Sequence, residues 1–264
     1  MFVSRSRDGK ADSQSYREDC KVDLKDKRIV VTGGGTGIGR GVALAFASEG
    51  SRVAICGRRE EPLLETAALH TGEPAILSKT CDVADRESTG EFFSWAVEAL
   101  GGIDVIVINA GINIRERSMA ETTPEDWDRV LAVNATGPFN CMYEVLPGMR
   151  ERRDGVIINI CSTAGKRPIP LGGIAYGASK FAQRALGIGA GYEEGDNGIR
   201  ITNIYPGEVD TPILDNRPQQ VSDEHKARIL QPEDVAAMVV AVAKLPPRAS
   251  VPELIVKPTI QPYA

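Results

Sequence analysis

The sequence contains few of the residues that usually carry metal or redox chemistry. Its 264 residues include two histidines, His70 and His225, which stand far apart, and five scattered cysteines without a C-x-x-C pair. This pattern fits none of the common zinc motifs and gives no disulfide framework. We therefore predict no metal site, and we interpret the cysteines as buried, reduced thiols of a cytoplasmic protein.

Long hydrophobic runs and an excess of basic residues are also lacking. No uncharged apolar stretch is long enough to span a membrane, and 31 basic against 36 acidic residues leave no positive surplus for a nucleic-acid backbone. We therefore expect neither membranes nor nucleic acids as partners. Residues 1–23 are polar, carry both charge signs and have no apolar core for a signal peptide. We predict a disordered tail over 1–23 and a single domain over 24–264.

Short runs rich in β-branched residues alternate with longer helical patterns after the tail. Predicted strands lie at 28–32, 52–56, 74–79, 103–109, 155–161, 199–205 and 252–258, and predicted helices at 38–50, 87–100, 124–148, 174–194 and 232–244. The run at 103–109, IDVIVIN, is apolar on both faces, as a buried parallel strand should be. This alternation predicts an α/β fold with a doubly wound parallel sheet covered by helices on both faces.

A glycine-rich segment, TGGGTGIG, lies between the first predicted strand and the first predicted helix. Its spacing is G-x-x-x-G-x-G, formed by Gly33, Gly37 and Gly39. Glycines let a backbone approach a pyrophosphate, and the helix that begins near Ile38 offers free N–H groups. A tight turn alone would need some of these glycines. Five within seven residues favour a dinucleotide-binding loop.

The end of the second predicted strand bears on the choice of dinucleotide. An acidic residue at this place usually binds the ribose of NAD, whereas arginine accommodates the 2′-phosphate of NADP. Here the strand runs into CGRRE, with Arg58 and Arg59 and no acid before them. A solvated surface pair is the simpler alternative for these arginines, and Glu60 and Glu61 follow directly. We predict NADP (NADPH), with NAD as the less favoured cofactor.

Tyr176 and Lys180 lie four positions apart, one turn of a helix, at the end of CSTAGKRPIPLGGIAYGASK. Such a pair on a helix surface needs no function. Next to a dinucleotide loop it suggests proton chemistry, because a lysine cation and an oxidised nicotinamide both lower the pKa of a phenol. Tyr176 could then give a proton to a carbonyl oxygen or remove one from an alcohol, and Ser162 could hold the same oxygen.

The motifs together resemble those of the classical short-chain dehydrogenase/reductase family, over roughly residues 24–245. The matching residues occur in the family's order: Gly33-x-x-x-Gly37-x-Gly39, Asp82, Asn109-Ala110-Gly111, Asn134, Ser162, Tyr176-x-x-x-Lys180 and Pro206-Gly207. The resemblance implies a Rossmann-type domain with about seven parallel strands. It also implies a homodimer or homotetramer, and a small-molecule carbonyl or alcohol as substrate.

The resemblance also implies catalytic roles. Tyr176 corresponds to the acid/base, Ser162 to the serine that polarises the substrate, Lys180 to the lysine that binds the nicotinamide ribose, and Asn134 to the asparagine that holds a water of the proton relay. The residues expected beside the cofactor are Gly33, Thr36, Gly37, Ile38, Gly39, Arg58, Arg59, Asp82, Val83, Asn109, Ala110, Gly111, Tyr176, Lys180, Pro206, Gly207, Val209 and Thr211.

Several alternatives stay open at this point. Thr163 rivals Ser162, and Asn134 could be a helix residue with a purely structural hydrogen bond. Three glycines, at 187, 189 and 191, could make the helix after Lys180 irregular, because each is unfavourable in a helix interior. The apolar residues expected around the substrate are Ile112, Ile114, Ile169, Pro170, Leu171, Ile213 and Leu214. The function could be a reductase of 3-oxoacyl thioesters, a reductase or dehydrogenase of other ketones and alcohols, or a dinucleotide sensor without turnover.

Overall fold

A computed structural model describes residues 22–261. Its centre is a seven-stranded parallel sheet in the order β3-β2-β1-β4-β5-β6-β7. The strands are β1 Arg28–Thr32, β2 Arg52–Gly57, β3 Leu77–Thr80, β4 Val105–Ile108, β5 Gly155–Ile160, β6 Ile199–Pro206 and β7 Glu253–Val256. The predicted doubly wound sheet of about seven parallel strands is confirmed.

Eight α-helices connect the strands of the described chain. They are α1 Gly37–Ser48, α2 Glu60–Leu69, α3 Arg86–Leu100, α4 Pro124–Leu131, α5 Gly137–Arg152, α6 Ile174–Glu194, α7 Asp223–Lys226 and α8 Pro232–Ala243. Local sequence explains several helix starts. Thr123 accepts a hydrogen bond from the Asp126 amide at 3.1 Å ahead of Pro124, and Asp85 accepts one from the Ser88 amide at 2.8 Å.

Alternate residues of the strands bury two separate cores, one on each face of the sheet. On one face, Ile29 and Val31 of β1 pack with α1 and α8. On the other face, Val30 of the same strand packs among side chains of α3 and α5, including Phe92 and Met149. Because both faces are covered, the central strand β4 is apolar and buried throughout, which is why a continuous apolar run predicted a buried strand.

The strand order reverses between β1 and β4, which are parallel neighbours although β2 and β3 intervene in sequence. Loops that leave two such strands diverge to opposite faces and leave a crevice at the carboxyl ends. The glycine loop follows β1, and Asn109-Ala110-Gly111 follows β4. The fold therefore brings these two predicted cofactor segments to the same crevice.

Some predicted elements need correction. The strand predicted at 74–79 begins only at Leu77, after a cis Glu73–Pro74 bond. Helix α2 was not predicted, although two acids and a proline at its start are typical of a first turn. The helix predicted at 124–148 is divided by a π-helical turn, Ala132–Thr136. By contrast, α6 is continuous through its three glycines.

The remaining expectations concern the termini and the cysteines. The four cysteines of the described chain are buried and unpaired, at 56, 81, 141 and 161; Cys20 lies outside the described residues. The predicted tail also lies outside them, apart from Val22 and Asp23, and the Val22 amide donates to the Lys244 carbonyl at 2.8 Å. Within residues 22–261, no helix is long and apolar enough to cross a membrane.

Candidate active site

Helix α6 carries Tyr176 and Lys180 on the side that faces a large cavity. The cavity has a volume of about 870 Å³, and Tyr176, Lys180, Ser162 and Thr163 all line it. The Lys180 Nζ atom lies 5.6 Å from the centre of the Tyr176 ring. The four residues thus meet around one space, although they come from a strand end and from a helix.

Ser162 lies two residues beyond the end of β5 and is the cap residue of a short 3-10 turn, Thr163–Gly165. Its hydroxyl oxygen accepts a hydrogen bond from the Ala164 amide at 3.1 Å. A hydrogen bond between Ser162 and Tyr176 lowers the pKa of the phenol. Ser162 is therefore oriented from behind by its own turn and interacts with Tyr176 at the cavity.

Burial nevertheless raises the pKa of Tyr176 above that of a free phenol, and this effect outweighs the Ser162 hydrogen bond. Arg117 acts in the lowering direction through its charge, more weakly. The expected direction was the opposite, with Lys180 lowering the pKa. The physical reason is that the phenol is buried in protein, where a phenolate is poorly solvated, while the Lys180 ammonium donates its hydrogen bonds to Gln183 and Ile160.

The Lys180 ammonium is buried, with 3% of the residue exposed. It donates to the side-chain oxygen of Gln183 at 2.6 Å and to the Ile160 carbonyl at 3.2 Å. Burial lowers the pKa of Lys180 to about 8, because the charged form loses solvation. Two acceptors therefore fix this cation at the cavity wall.

A chain of buried amides continues from Lys180 into the sheet. The Gln183 side-chain nitrogen donates to the Asn159 side-chain oxygen at 2.6 Å, and the Asn159 nitrogen donates to the Asn203 oxygen at 3.0 Å. An ammonium can only donate, so it turns the oxygen of Gln183 towards itself, and each amide then orients the next. This chain is not evident from the sequence, where a glutamine three residues after the lysine, on the same helix face, is its only signal.

Asn134 lies in the π-helical turn between α4 and α5 and is fully buried. Its side-chain oxygen accepts from the Ile112 amide at 2.8 Å, and its nitrogen donates to the Ile112 carbonyl at 2.9 Å and to the Ser179 hydroxyl at 3.0 Å. Asn134 itself does not line the cavity. Its side chain thus joins the loop after β4 to the helix of Tyr176.

The glycine loop forms the other end of the cavity. Gly37, with φ of +52°, takes a conformation that other residues rarely adopt, and a side chain at Gly39 would meet the Gly33 carbonyl oxygen at 2.1 Å. Gly39 therefore serves the packing of the loop, and it does not line the cavity. The helix α1 begins here, and no side chain caps its first backbone N–H groups.

The other predicted cofactor residues line this cavity or a smaller adjoining one. The large cavity is lined by Gly33, Thr36, Gly37, Ile38, Arg58, Arg59, Asn109, Ala110, Gly111, Pro206, Gly207, Val209 and Thr211, and the adjoining one by Asp82 and Val83. Free helix N–H groups, a left-handed glycine and a pair of arginines suit a diphosphate with an additional phosphate. The residues present thus fit a nicotinamide dinucleotide.

Arg58 and Arg59 are exposed at the rim of both cavities. Glu60 and Glu61, which had kept the choice of cofactor open, form the first turn of α2 and line neither cavity. Acids at this position interact favourably with the helix dipole. The start of α2, which was not predicted, therefore explains why these two glutamates follow the arginines.

The end of the cavity beyond Ser162 and Tyr176 combines apolar and charged walls. The apolar residues there are Ile112, Ile114, Ile169, Leu171, Ile213 and Leu214; Pro170, which was expected with them, does not line it. Arg117, which was not predicted, also lines it and is 7% exposed. Its guanidinium donates to the Leu171 carbonyl at 2.8 Å and to the Asn216 carbonyl.

The comparison with known families agrees with this geometry. The family model for short chain dehydrogenases matches residues 27–222, from the start of β1 to just before α7. The chain belongs to the short-chain dehydrogenase/reductase family. The match includes the glycine loop and the Tyr176 and Lys180 pair.

Similar proteins come from fungi, bacteria and archaea. The chain is 33% identical over 249 residues to glycine betaine reductase of Emericella nidulans, covering 92% of this chain but 19% of that protein. It is 32% identical over 252 residues to an uncharacterized oxidoreductase of Listeria monocytogenes, covering 92% of this chain and all of that one. The solved alcohol dehydrogenase of Thermococcus sibiricus, complexed with 5-hydroxy-NADP, is 28% identical with a TM-score of 0.80, covering 90% and 99% of the two chains.

Proposed function

We propose that this short-chain dehydrogenase/reductase is an NADP(H)-dependent enzyme that transfers hydride between a nicotinamide and a carbonyl compound or secondary alcohol. One observation carries the proposal: Ser162, Tyr176 and Lys180 line the same cavity as the glycine loop. A helix pair without function would not need to face a dinucleotide crevice together with a serine hydroxyl.

The chain's own residues have distinct parts in this proposal. Tyr176 donates its hydroxyl proton to the carbonyl oxygen during reduction and accepts it back during oxidation. Ser162 donates a hydrogen bond to the same oxygen, where negative charge develops. Lys180, held by Gln183 and Ile160, presents a cation to the ribose and to the phenol. When bound, the nicotinamide supplies the hydride and, once oxidised, a positive charge that favours the phenolate.

Asn134 contributes to this arrangement from outside the cavity. A Cβ added at Gly111 would lie 3.4 Å from the Asn134 side-chain oxygen and 3.6 Å from the Lys180 ammonium, so both residues flank this glycine. We propose that Asn134 holds the loop after β4 and the helix of Tyr176 at a fixed separation. The role of a water-holding residue stays a prediction.

NADP is the favoured cofactor because of the charge at the end of β2. Arg58 and Arg59 are exposed beside the crevice, and the two glutamates after them belong to the start of α2. A 2′-phosphate would gain two cationic neighbours there, whereas the ribose of NAD would lack its usual acid. The 5-hydroxy-NADP in the archaeal alcohol dehydrogenase supports the same choice. NAD is the alternative.

The initial-rate assay that tests this function follows NADPH and NADH absorbance with purified protein against ketones, keto sugars and 3-oxoacyl thioesters. Turnover that is faster with NADPH, and that Tyr176→Phe abolishes without loss of cofactor binding, is the expected result. Turnover by Tyr176→Phe at the wild-type rate would overturn the catalytic assignment of Tyr176. Cofactor binding without turnover of any substrate would favour the dinucleotide sensor, and preference for the thioesters would favour the 3-oxoacyl reductase.

We also infer self-association into a homodimer or homotetramer. Four aromatic side chains of α5 and α6 are exposed, among them Tyr143 and Tyr192, with 67% and 86% of each residue exposed. The Phe139 and Tyr143 rings stack with centroids 6.1 Å apart. Exposed aromatic residues are typical of interfaces. Light scattering after size exclusion should give two or four times the chain mass of 28.4 kDa. A monomer mass would contradict this inference.

A further inference from the structure

A buried guanidinium lies beside the proposed catalytic residues without a carboxylate partner. Arg117 is 7% exposed, and among the described residues no carboxylate oxygen lies within 4.0 Å of it. Its Nε atom is buried and has no hydrogen-bond acceptor. Of five N–H donors, the structure accounts for two, which bind the Leu171 and Asn216 carbonyls. A buried charge with free donors is costly unless something pairs with it.

Arg117 is also attached to the helix that carries Tyr176. Its backbone carbonyl accepts a hydrogen bond from the Ile174 amide at 3.2 Å, in the first turn of α6. Its charge acts on Tyr176 and lowers the pKa of the phenol. The guanidinium is therefore held in a fixed relation to the proton donor, on the substrate side of the cavity.

The other charges of that wall are paired or exposed. Arg217 lies 2.5 Å from a Glu208 carboxylate oxygen, which also lies 2.9 Å from the His225 ring. Glu116 and Asp215 are exposed to solvent. The charges of Arg217 and, in the opposite direction, Glu116 act on Arg117, but neither residue pairs with it, so it contributes one unpaired positive charge to this wall. One such charge matches one carboxylate and not a doubly charged phosphate.

From this arrangement we propose that the substrate is an oxo acid or hydroxy acid, whose carboxylate is bound by Arg117 while its carbonyl or hydroxyl oxygen lies at Ser162 and Tyr176. The inference rests on the proposed function, which it makes more specific. A guanidinium binds a carboxylate through two parallel hydrogen bonds and so fixes orientation as well as position. The apolar side chains of Ile114, Ile169 and Leu171 surround the carbon chain between the two polar ends.

A purely structural role for Arg117 is the competing explanation. Its two hydrogen bonds join the loops that contain Leu171 and Asn216, and loss of those bonds would disturb the cavity for every substrate. The ratio of rates on an acid and on its neutral ester separates the two explanations. If Arg117 binds the carboxylate, its replacement lowers kcat/KM more for the acid than for the ester; if its role is structural, both fall equally.

The experiment measures kcat/KM with NADPH for pyruvate, acetoacetate and levulinate, each against its methyl ester, and for dihydroxyacetone phosphate against dihydroxyacetone. For at least one acid we expect a preference over the ester of about 10-fold or more, as for a charged hydrogen bond. Arg117→Gln should lower the rate on that acid about 10- to 100-fold and change the ester less than about 3-fold. Arg117→Lys should restore part of the kcat/KM for the acid, since lysine keeps the positive charge but lacks the two parallel donors of a guanidinium.

Arg152→Gln is the matched control. Arg152 also donates to a backbone carbonyl, that of Ile103. This carbonyl precedes β4 and lies at the amino ends of the strands, whereas the cavity lies at their carboxyl ends. This variant should keep the wild-type ratio of acid to ester. Equal losses on acid and ester in Arg117→Gln, or a wild-type preference for the esters, would overturn the proposal. Preference for dihydroxyacetone phosphate over all the acids would overturn its choice of carboxylate.

Binding measurements keep the two proposals separable. Saturation-transfer NMR on the NADP-loaded protein should detect the preferred acid with wild type and lose it with Arg117→Gln. Turnover of neutral ketones without binding of any acid would leave the proposed function standing and refute the carboxylate site. Binding of an acid that requires Arg117, in a protein without turnover, would support the site and refute the proposed function.

Discussion

The Lys180 ammonium lies 2.6 Å from the side-chain oxygen of Gln183, one turn further along α6, and not on the Tyr176 hydroxyl. Gln183 is fully buried, and its side-chain nitrogen donates to the Asn159 side-chain oxygen. The Asn159 nitrogen in turn donates to Asn203, so these hydrogen bonds fix the orientation of all three amides. The lysine of the proposed catalytic pair is therefore positioned from inside the protein.

We expect kcat/KM for ketone reduction to fall as the pH rises above about 8. Lys180 is charged below its pKa of about 8 and neutral above it. Tyr176, whose pKa is raised, stays protonated and able to donate over the same range. The alkaline decline therefore belongs to Lys180. A pH profile from 6 to 10 measures it, and a rate that stays flat to pH 10 would contradict the assignment.

Replacement of Gln183 should move this decline. Gln183→Glu places a carboxylate on the ammonium and favours its charged form, so the decline should shift to higher pH. Gln183→Leu removes the acceptor and leaves Asn159 without its donor, and we expect about a 10-fold lower kcat/KM with unchanged cofactor specificity. Equal pH profiles for wild type and Gln183→Glu would show that Gln183 has no influence on Lys180.

Ser162 and Thr163 can be separated by single substitutions. Both line the cavity, but the hydrogen bond to Tyr176 comes from Ser162. Ser162→Ala should lower kcat about 10²- to 10³-fold, as loss of an oxyanion donor does. Thr163→Val keeps the shape of the side chain and should cost less than about 10-fold. Steady-state kinetics on one ketone measures both, and a larger loss at Thr163 would exchange the two roles.

The glycines of α6 should respond differently to alanine. At Gly187 a Cβ would meet the Asn203 side-chain oxygen at 2.1 Å, whereas at Gly189 nothing lies within 4 Å. Gly187→Ala should therefore lower the free energy of unfolding by roughly 1–3 kcal/mol through overpacking. Gly189→Ala should raise it by about 0.5–1 kcal/mol through helix propensity. Urea denaturation measures both, and destabilisation of equal size would contradict the packing argument.

The exposed arginines after β2 should decide the cofactor preference. Arg58→Ala with Arg59→Ala should raise KM for NADPH at least about 10-fold and leave KM for NADH nearly unchanged, because the charge-assisted bonds to the 2′-phosphate are lost. Arg86→Ala, an exposed arginine of α3 outside both cavities, is the control. An equal effect on both cofactors would mean that the pair does not recognise the 2′-phosphate.

The features that the sequence predicts correctly are those that depend on short stretches of residues. Apolar runs such as 103–109 marked the buried strands, and the glycine spacing marked the crevice. The π-helical turn at Ala132–Thr136 was not predictable in this way, because it depends on the bonds that Asn134 makes with Ile112 and Ser179. Tertiary contacts of this kind leave no periodic signal in the chain.

Arg117 shows the same limit at the site itself. In the sequence it is one of two arginines in IRER and has no sign of burial. Its burial results from contacts with Leu171 and Asn216, which are 54 and 99 residues away. Likewise, the pKa of Tyr176 is raised by burial of the phenol in the folded chain, and helical spacing alone does not show that burial.

All the proposed chemistry lies at the carboxyl ends of the parallel strands, and this leaves the other end of the sheet without a part in it. At that end Arg28 pairs with Asp104, and Arg152 binds the Ile103 carbonyl. Surface loops there, such as the turn at the exposed Gly101, are separated from the cavity by the whole length of the strands. They offer attachment points for a fluorophore, a surface tether or a fused partner enzyme that would leave the cavity open to substrate.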